Sequence, residues 1–531
     1  MEKQHTTVED STTMEQDYSL KDRLTTEALP ASAIAAGGVI LDIEGTTDTS
    51  LRLAKDGHTV LLPQPTDHSD DPLNWPSWKK HAILFTSAFG ALAADYACAG
   101  GSSTIFLQAA LWDESPGNIL QTTNICVLTL GVGGIIWIPM ANFFGRAPVF
   151  FWTTLIGFIF CLVSAVAPNY PTFFAMRALL GWFITPAQTI SLALIKDMFF
   201  FHERARKIGL WGLIYISAPY VGPCFSNFML AGTEDWHDVY WVSTALIGLY
   251  LILIVVFVDE TWYNRDKHSH EQPARPSGTL GRLSRVVGIW EIQHRRGYYE
   301  TVASSFARLF EVILKPALFL VLLAYVLLFM WCGVGINISA PTLFETPVAD
   351  GGYGYTNKSL GFLYFIPIVS VGIAEVFGHW FNDFLARRYV YSHKGIFEPE
   401  ARLTMMYIGA AFQIVGLVLV GQTLFHHLHV VGIIFGWGMA TIGLMLVSVA
   451  VLAYALDSYP TASAEVSGWV EFARIAGGFS VGYFQQQWGE RVGYNVSFGT
   501  QAATLVVAVL LIVIAHYYGH ALRVKAGPLR H

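Results

Sequence analysis

Five charged side chains stand inside long apolar stretches of this 531-residue chain and are the groups best placed to do chemistry: Asp95, Arg177, Glu375, Glu471 and Arg474. The clearest setting is Phe173 to Ile195, whose only formal charge is Arg177. A stretch of about twenty apolar residues spans a bilayer as a helix. An ionisable group there is costly to insert, so it faces the protein interior and takes a partner. Asp95 and Arg177 each fall about five or six residues from the same end of their segments. At 1.5 Å per residue, both lie roughly 8–9 Å below one membrane boundary. An Asp95–Arg177 pair is therefore predicted. Burial and a neighbouring guanidinium act on a carboxyl in opposite senses, so such a pair can exchange a proton when its surroundings change. The alternative is a static pair that fixes helix packing. Glu471 and Arg474, three residues apart, can neutralise each other on one helix face. Glu375 reads either as a proton or cation site or as a partner of Arg474 across the bundle. His379 reads as a polar residue near a helix end.

The elements that position these groups are apolar helices. The chain is 53% hydrophobic and 13% charged, against about 25% charged in soluble domains. Long unbroken apolar runs, not alternating strands, indicate a polytopic helical membrane protein rather than a β-barrel. Twelve segments are expected, at 81–101, 121–141, 148–167, 172–195, 208–231, 239–258, 316–340, 359–384, 404–423, 430–454, 465–486 and 499–518. Lys and Arg concentrate in alternate loops and at both ends, which predicts cytoplasmic termini. The organisation read from this is a disordered tail over 1–78, a six-helix bundle over 79–261, a cytoplasmic linker over 262–315, a second six-helix bundle over 316–518 and a short tail over 519–531. The start of the chain lacks a charged region followed by an apolar one, so a cleaved signal is not expected. The five Cys all fall in apolar runs and read as small core residues. A phosphate-binding Gly-Lys loop, metal-ligand spacing and a basic nucleic-acid block are all missing from the sequence. An enzyme, an ATP-driven motor and a cofactor are therefore not expected.

Several local patterns resemble the major facilitator superfamily, in its twelve-helix fungal drug:proton antiporter group. They are Asp71-Pro72-Leu73-Asn74-Trp75, Gly145-Arg146-Ala147-Pro148-Val149, Arg177-Ala178-Leu179-Leu180-Gly181 and Pro219-Tyr220-Val221-Gly222-Pro223. Further along they are Asp259 to Arg265, Gly395 to Leu403 and Asp457-Ser458-Tyr459. The resemblance implies two pseudo-symmetric bundles with a substrate site between them. It implies gating roles for Asn142, Gly145, Arg146, Pro219 and Gly222, and for Asp383, Arg387 and Arg388 in the second half. The first gate departs from the family pattern. Asn142 stands where an acid is usual, and Phe143 and Ala147 stand where basic residues are usual. An asparagine cannot carry the charge relay that latches this gate.

Trp182, Gln188, Tyr325, Trp331, Asn337 and Trp437 are candidate cavity-lining residues, since walls of this kind suit large amphipathic ligands. Helix packing is the competing reading for each. Asn357 and Asn495 begin glycosylation sequons in loops expected outside. The function expected is secondary transport at the cell membrane by a monomer, with a small molecule and protons as partners. Efflux of a toxin, drug or fungal metabolite by antiport is the leading version. Uptake of a polyamine or other organic cation, and a non-transporting membrane sensor, are the alternatives.

Overall fold

The structure, a computed structural model, describes residues 61, 63–265, 271–294, 298–348, 352–392, 398–459, 462–527 and 529. Every regular element among these residues is helical. The first half comprises α1 (Ser77–Trp112), α2 (Pro116–Phe144), α3 (Arg146–Ala165), α4 (Tyr170–Met198), α5 (Phe201–Thr233) and α6 (Trp236–Phe257). The second half begins with α7, Pro316–Gly335, which continues through Ile336–Glu345. It goes on with α8 (Phe365–Ser392), α9 (Thr404–Phe425) and α10 (Val431–Ser458). The last helices are α11, built from Ser463–Ala476 and Gly478–Val492, and α12 (Tyr494–Ala526). Among the described residues, eleven spans are apolar and long enough to cross a membrane on their own. The remaining one, α11, carries Glu465, Glu471 and Arg474 and a Gly477–Gly478 break. The helices run past the apolar stretches at both ends because hydropathy marks only the hydrocarbon slab, while helical pairing continues into the polar interface.

Local chemistry sets the helix starts. Ser115 caps α2 by accepting from Asn118 N, Asn169 caps α4 from Thr172 N, and Asp235 caps α6 from His237 N. Such side-chain oxygens satisfy backbone donors that have no partner in the first turn. Several helices are interrupted near mid-length. α1 tightens to a 3-10 turn over Gly100–Thr104, α4 breaks before Pro186, α5 holds Pro219 and Pro223, and α7 widens to a π turn over Met330–Gly335. Such departures from regular helix cluster at functional sites.

The halves meet along two seams, α2 on α11 and α5 on α8. Glycines allow the close approaches. A Cβ at Gly131 would stand 2.8 Å from Ile475 Cβ across the first seam, and one at Gly361 would stand 3.1 Å from the Phe228 ring across the second. Inside the second half, Gly409 and Gly443 face each other so closely that a Cβ on either would strike the other's carbonyl.

The stretch expected as a polar linker contains three helices, Gly278–Val287, Ile289–His294 and Val302–Ile313. The first two lie under the first half. Arg285 holds Asp259 at 2.8 Å, and Trp152 Nε1 donates to Val287 O at 2.9 Å. The third packs on both α2 and α11, and so touches both halves. Before α1, Asp71 is fully buried, caps Pro72–Asn74 and pairs with Arg265 at 3.0 Å, so ordered contact begins ahead of Ser77.

Candidate functional site

A cavity of about 40 Å³ lies between the halves, lined by Asp95, Ser102, Thr123, Phe329, Asn337 and Arg474 among others. Its centre is ionic. Arg474 on α11 lies 2.8 Å from Glu471 Oε1 and 3.4 Å from Asp95 Oδ2 on α1. It also donates to Gln188 Oε1 on α4 at 3.3 Å. Its guanidinium sits 4.2 Å from the ring centroid of Tyr215 on α5 and 5.6 Å from that of Phe329 on α7. A planar cation with a rigid fork of donors suits this mixture of carboxylates and ring faces. With every group ionised, two acids and one cation leave a formal charge of −1. Arg474 thus ties three helices of the first half to the second half through the cavity.

The predicted Asp95–Arg177 pair is not what forms. Arg177 is fully buried and donates to the backbone carbonyls of Ala97 and Cys98, each at 2.5 Å. The 3-10 turn that follows Ala99 shifts the hydrogen-bond pattern of α1 and leaves these carbonyls free to turn toward α4. Asp95 points the other way, toward α11. The expected local pair of Glu471 and Arg474 does form, at 2.8 Å, but Arg474 reaches beyond it. Glu375 is half-buried against α5, where a Cβ at Gly209 would come 3.0 Å from its Oε1. The alternative partner considered for it, Arg474, takes its carboxylates from Asp95 and Glu471.

Among the expected lining residues, Asn337 lines this cavity and Gln188 touches Arg474. The aromatics serve helix packing in this conformation. Tyr325 OH meets Ser448 Oγ at 3.0 Å, Trp331 Nε1 donates to Thr504 Oγ1 at 2.7 Å, and Trp437 packs edge-on against Tyr364 at 5.4 Å. Trp182 accepts from Trp137 Nε1 through its carbonyl at 2.8 Å. Tyr215 and Phe329, which hold the cation, carry no signal in the sequence that separates them from the many other aromatics.

Contacts between the halves flank the cavity on both sides. Away from the linker, Asn337 Nδ2 donates to Pro219 O at 3.0 Å, Tyr364 OH to Asn337 O at 3.1 Å, and Cys224 Sγ to Gly361 O at 3.5 Å. On the linker face, Ser467 Oγ donates to Thr189 O at 3.0 Å, and Asn142 Nδ2 to Glu465 Oε1 at 3.1 Å. Glu465 also binds Arg308 of the third linker helix, at 2.5 Å, and Arg308 binds Glu300 at 2.6 Å. So the charge that Asn142 lacks is replaced: the acid comes from α11 and the cation from the linker. Beside it, Gly145 adopts φ 94° between α2 and α3, a conformation that disfavours a side chain. Arg146 pairs with Asp197 and donates to Ala193 O at 3.0 Å. Gly222 lets α5 approach α1, since a Cβ there would stand 2.9 Å from Tyr96 O. Arg388 is exposed, while the side chains of Asp383, Arg387 and His379 lie outside the described residues. Asn357 and Asn495 both fall at helix starts on the face opposite the linker.

Under the gate lies a second acidic pair. Glu260 accepts from Ala147 N at 3.0 Å and Trp262 N at 2.7 Å. Neighbouring Glu291 is buried, and both its carboxylate oxygens have no hydrogen-bond partner among the described residues. Burial, reinforced by Glu260, pushes the Glu291 carboxyl up to about 9. The folded chain therefore keeps a proton that the unfolded chain releases near pH 4.3. Stability from this position falls as pH rises between those values. Glu291→Gln should raise the thermal midpoint at neutral pH by an amount equivalent to roughly 2–3 kcal/mol, with the gain vanishing near pH 4. An unchanged midpoint at neutral pH would refute this.

The family model of the Major Facilitator Superfamily matches residues 84–483. The chain belongs to the Major Facilitator Superfamily. It is a multi-pass membrane transporter and not an enzyme. This superfamily member is 26% identical over 483 residues to a Candida glabrata protein named Multidrug transporter TPO3, covering 88% of this chain and 71% of the relative. It is 24% identical to Efflux pump FUB11 of Gibberella moniliformis, covering 91% and 78%. It is 25% identical to Polyamine transporter 3 of Saccharomyces cerevisiae, covering 87% and 72%. Among solved structures, the xylose transporter XylE from E. coli aligns with a TM-score of 0.58 at 14% identity, over 82% of this chain and 98% of that one, which supports the fold. In superfamily terms, the cavity lies where the two halves meet.

Proposed function

We propose that this transporter exports an amphipathic small molecule in exchange for protons. The observation that carries the reading is Arg474, held between Asp95 of one half and Glu471 of the other inside the cavity between them. A proton arriving on Asp95 removes its hold on Arg474 and loosens one tie between the halves. Losing the proton draws Arg474 back. Carboxylates inside a membrane bundle are the groups from which proton relays are built. The cavity of about 40 Å³ is far below the roughly 300–1,000 Å³ of small-molecule sites, so cargo enters only when one face opens. The relatives named as a multidrug transporter and an efflux pump favour export. In this reading the protein works as a monomer in the cell membrane with the linker face in the cytoplasm.

The excess negative charge of the Asp95–Arg474–Glu471 group favours a second reading, in which the cargo is an organic cation, and a relative is named as a polyamine transporter. One experiment separates them. The chain is expressed in a host without its own pumps and challenged with toxic amphiphiles and with polyamines, with and without a protonophore. Protonophore-sensitive resistance that falls to background in Asp95→Asn is the expected result. Resistance that survives Asp95→Asn with unchanged protonophore sensitivity would sink the coupling role. Sensitisation to polyamines would establish cation uptake instead.

A further inference from the structure

Arg177 is a buried cation without an acid. Its Nη1 and Nη2 go to the carbonyls of Ala97 and Cys98, and its Nε has no hydrogen-bond partner. Among the described residues no carboxylate lies in ion-pair contact with it. Tyr240 places its ring 5.6 Å from the guanidinium. The titratable groups facing Arg177 are Cys126, Tyr240, Cys98 and Cys161. Cys161 is already engaged by Thr244 at 3.3 Å. That leaves Cys98 of α1 and Cys126 of α2, both buried and free, with their sulfurs 3.0 Å apart. The nearest acid along α1, Asp95, is committed to Arg474.

The packing enforces this contact. Gly181, one turn beyond Arg177 on α4, has no room for a Cβ because Cys126 O and Thr129 Oγ1 fill the space. The carbonyl of Cys98 is fixed by Arg177 itself. Cys98 also lines the cavity, so an opening that admits cargo brings Cys98 into reach, with Cys126 directly behind it. The thiolate is the nucleophilic and ligating form of a cysteine, and two neighbouring sulfurs can ligate one soft centre together. An uncompensated buried charge is expensive, and the second thiol can donate to the first.

We propose that Cys98 and Cys126 form a reactive dithiol at the edge of the transport cavity, and that the pair captures soft thiophilic species such as trivalent arsenicals. With phenylarsine oxide two arsenic–sulfur bonds form, and the reagent's oxygen leaves as one water carrying both thiol protons. The arsenic stays trivalent and no oxidant is required. The bridge ties α1 to α2 one turn from Asp95, so captured protein should no longer transport.

The test needs no knowledge of the cargo, so its outcome is independent of the export reading. The purified full chain is treated with phenylarsine oxide and examined by intact mass, thiol titration and peptide mapping. One arsenic per chain, the loss of two of the five thiols and mapping to Cys98 and Cys126 are expected. A competing small dithiol should release it and a monothiol should not. Cys126→Ser should weaken capture by roughly a hundredfold or more, because the second bond becomes bimolecular. Capture that maps to other cysteines, or no capture by the folded protein, overturns the site. Because the wild-type stoichiometry decides the site, a variant that fails to fold does not shelter it.

Discussion

Arg474→Met is expected to lower the stability of the folded transporter by about 3–5 kcal/mol at neutral pH, the cost of removing one partner from a buried ion pair, and to abolish transport. Methionine replaces much of the buried methylene stem, so the loss tests charge more than volume. It leaves Asp95 and Glu471, 5% and 3% exposed, as two acids without their cation. At lower pH one of them takes up a proton, and the deficit should shrink. Thermal unfolding in detergent at neutral and acidic pH measures this directly. Adding Glu471→Gln should restore much of the stability and none of the transport. Arg474→Lys should fold, because it keeps the charge, yet transport poorly, because an ammonium lacks the fork that reaches Glu471, Asp95 and Gln188 together. A Met variant as stable as the parent at neutral pH would mean that the group is not holding the halves.

The linker-face latch supplies the second large effect. Arg308→Ala removes the ion-pair partner of Glu465, which is 2% exposed, and leaves it the Asn142 amide. Truncating one partner of a buried hydrogen-bonded charge pair costs roughly 2–5 kcal/mol. The open state on that face gains by the same amount, which is more than tenfold in population. Alkylation of Cys98 by an impermeant reagent presented to the linker face, mapped by mass spectrometry, should accelerate accordingly. Glu465→Gln should act similarly. Exchanging the pair, Arg308→Glu with Glu465→Arg, should slow labelling again, which loss of packing alone would not achieve. Equal labelling rates in the parent and in Arg308→Ala would remove Arg308 from the gate.

These two groups also show what the sequence could and could not convey. Depth in the membrane was legible: Asp95 and the carbonyls bound by Arg177 lie within one turn of each other on α1. Direction around the helix axis was not. Three residues advance a helix by nearly a full turn but leave side chain and carbonyl facing different neighbours, and the 3-10 turn at Gly100 altered that bearing again. Among the described residues, eleven of the twelve expected segments followed from hydropathy because a bilayer permits little else. The Glu471–Arg474 pair followed from spacing, whereas its reach to Asp95 depends on how α11 docks against α1, and no local pattern encodes that. Asn142 looked like a broken relay because sequence comparison reads one position at a time. Its replacement comes from two distant elements, Glu465 on α11 and Arg308 in the linker. The linker's amphipathic helices were obscured by its Pro and basic content.

The pairing of Asp95 with Arg474 also sets an order of events during biosynthesis. The two residues are 379 positions apart. At about 5–20 residues per second, the ribosome completes Asp95 between roughly 20 and 75 s before its counter-charge exists. Throughout that interval the newly inserted first half carries an acid in the membrane without its eventual mate. The span that brings relief, α11, is itself poorly suited to enter lipid unaided, since each charged residue near a helix centre adds about 2.5–3.5 kcal/mol to insertion. Nascent α1 and α11 therefore solve each other's problem: the early helix waits as an acceptor, and the late one is drawn into the bilayer by the acid already there.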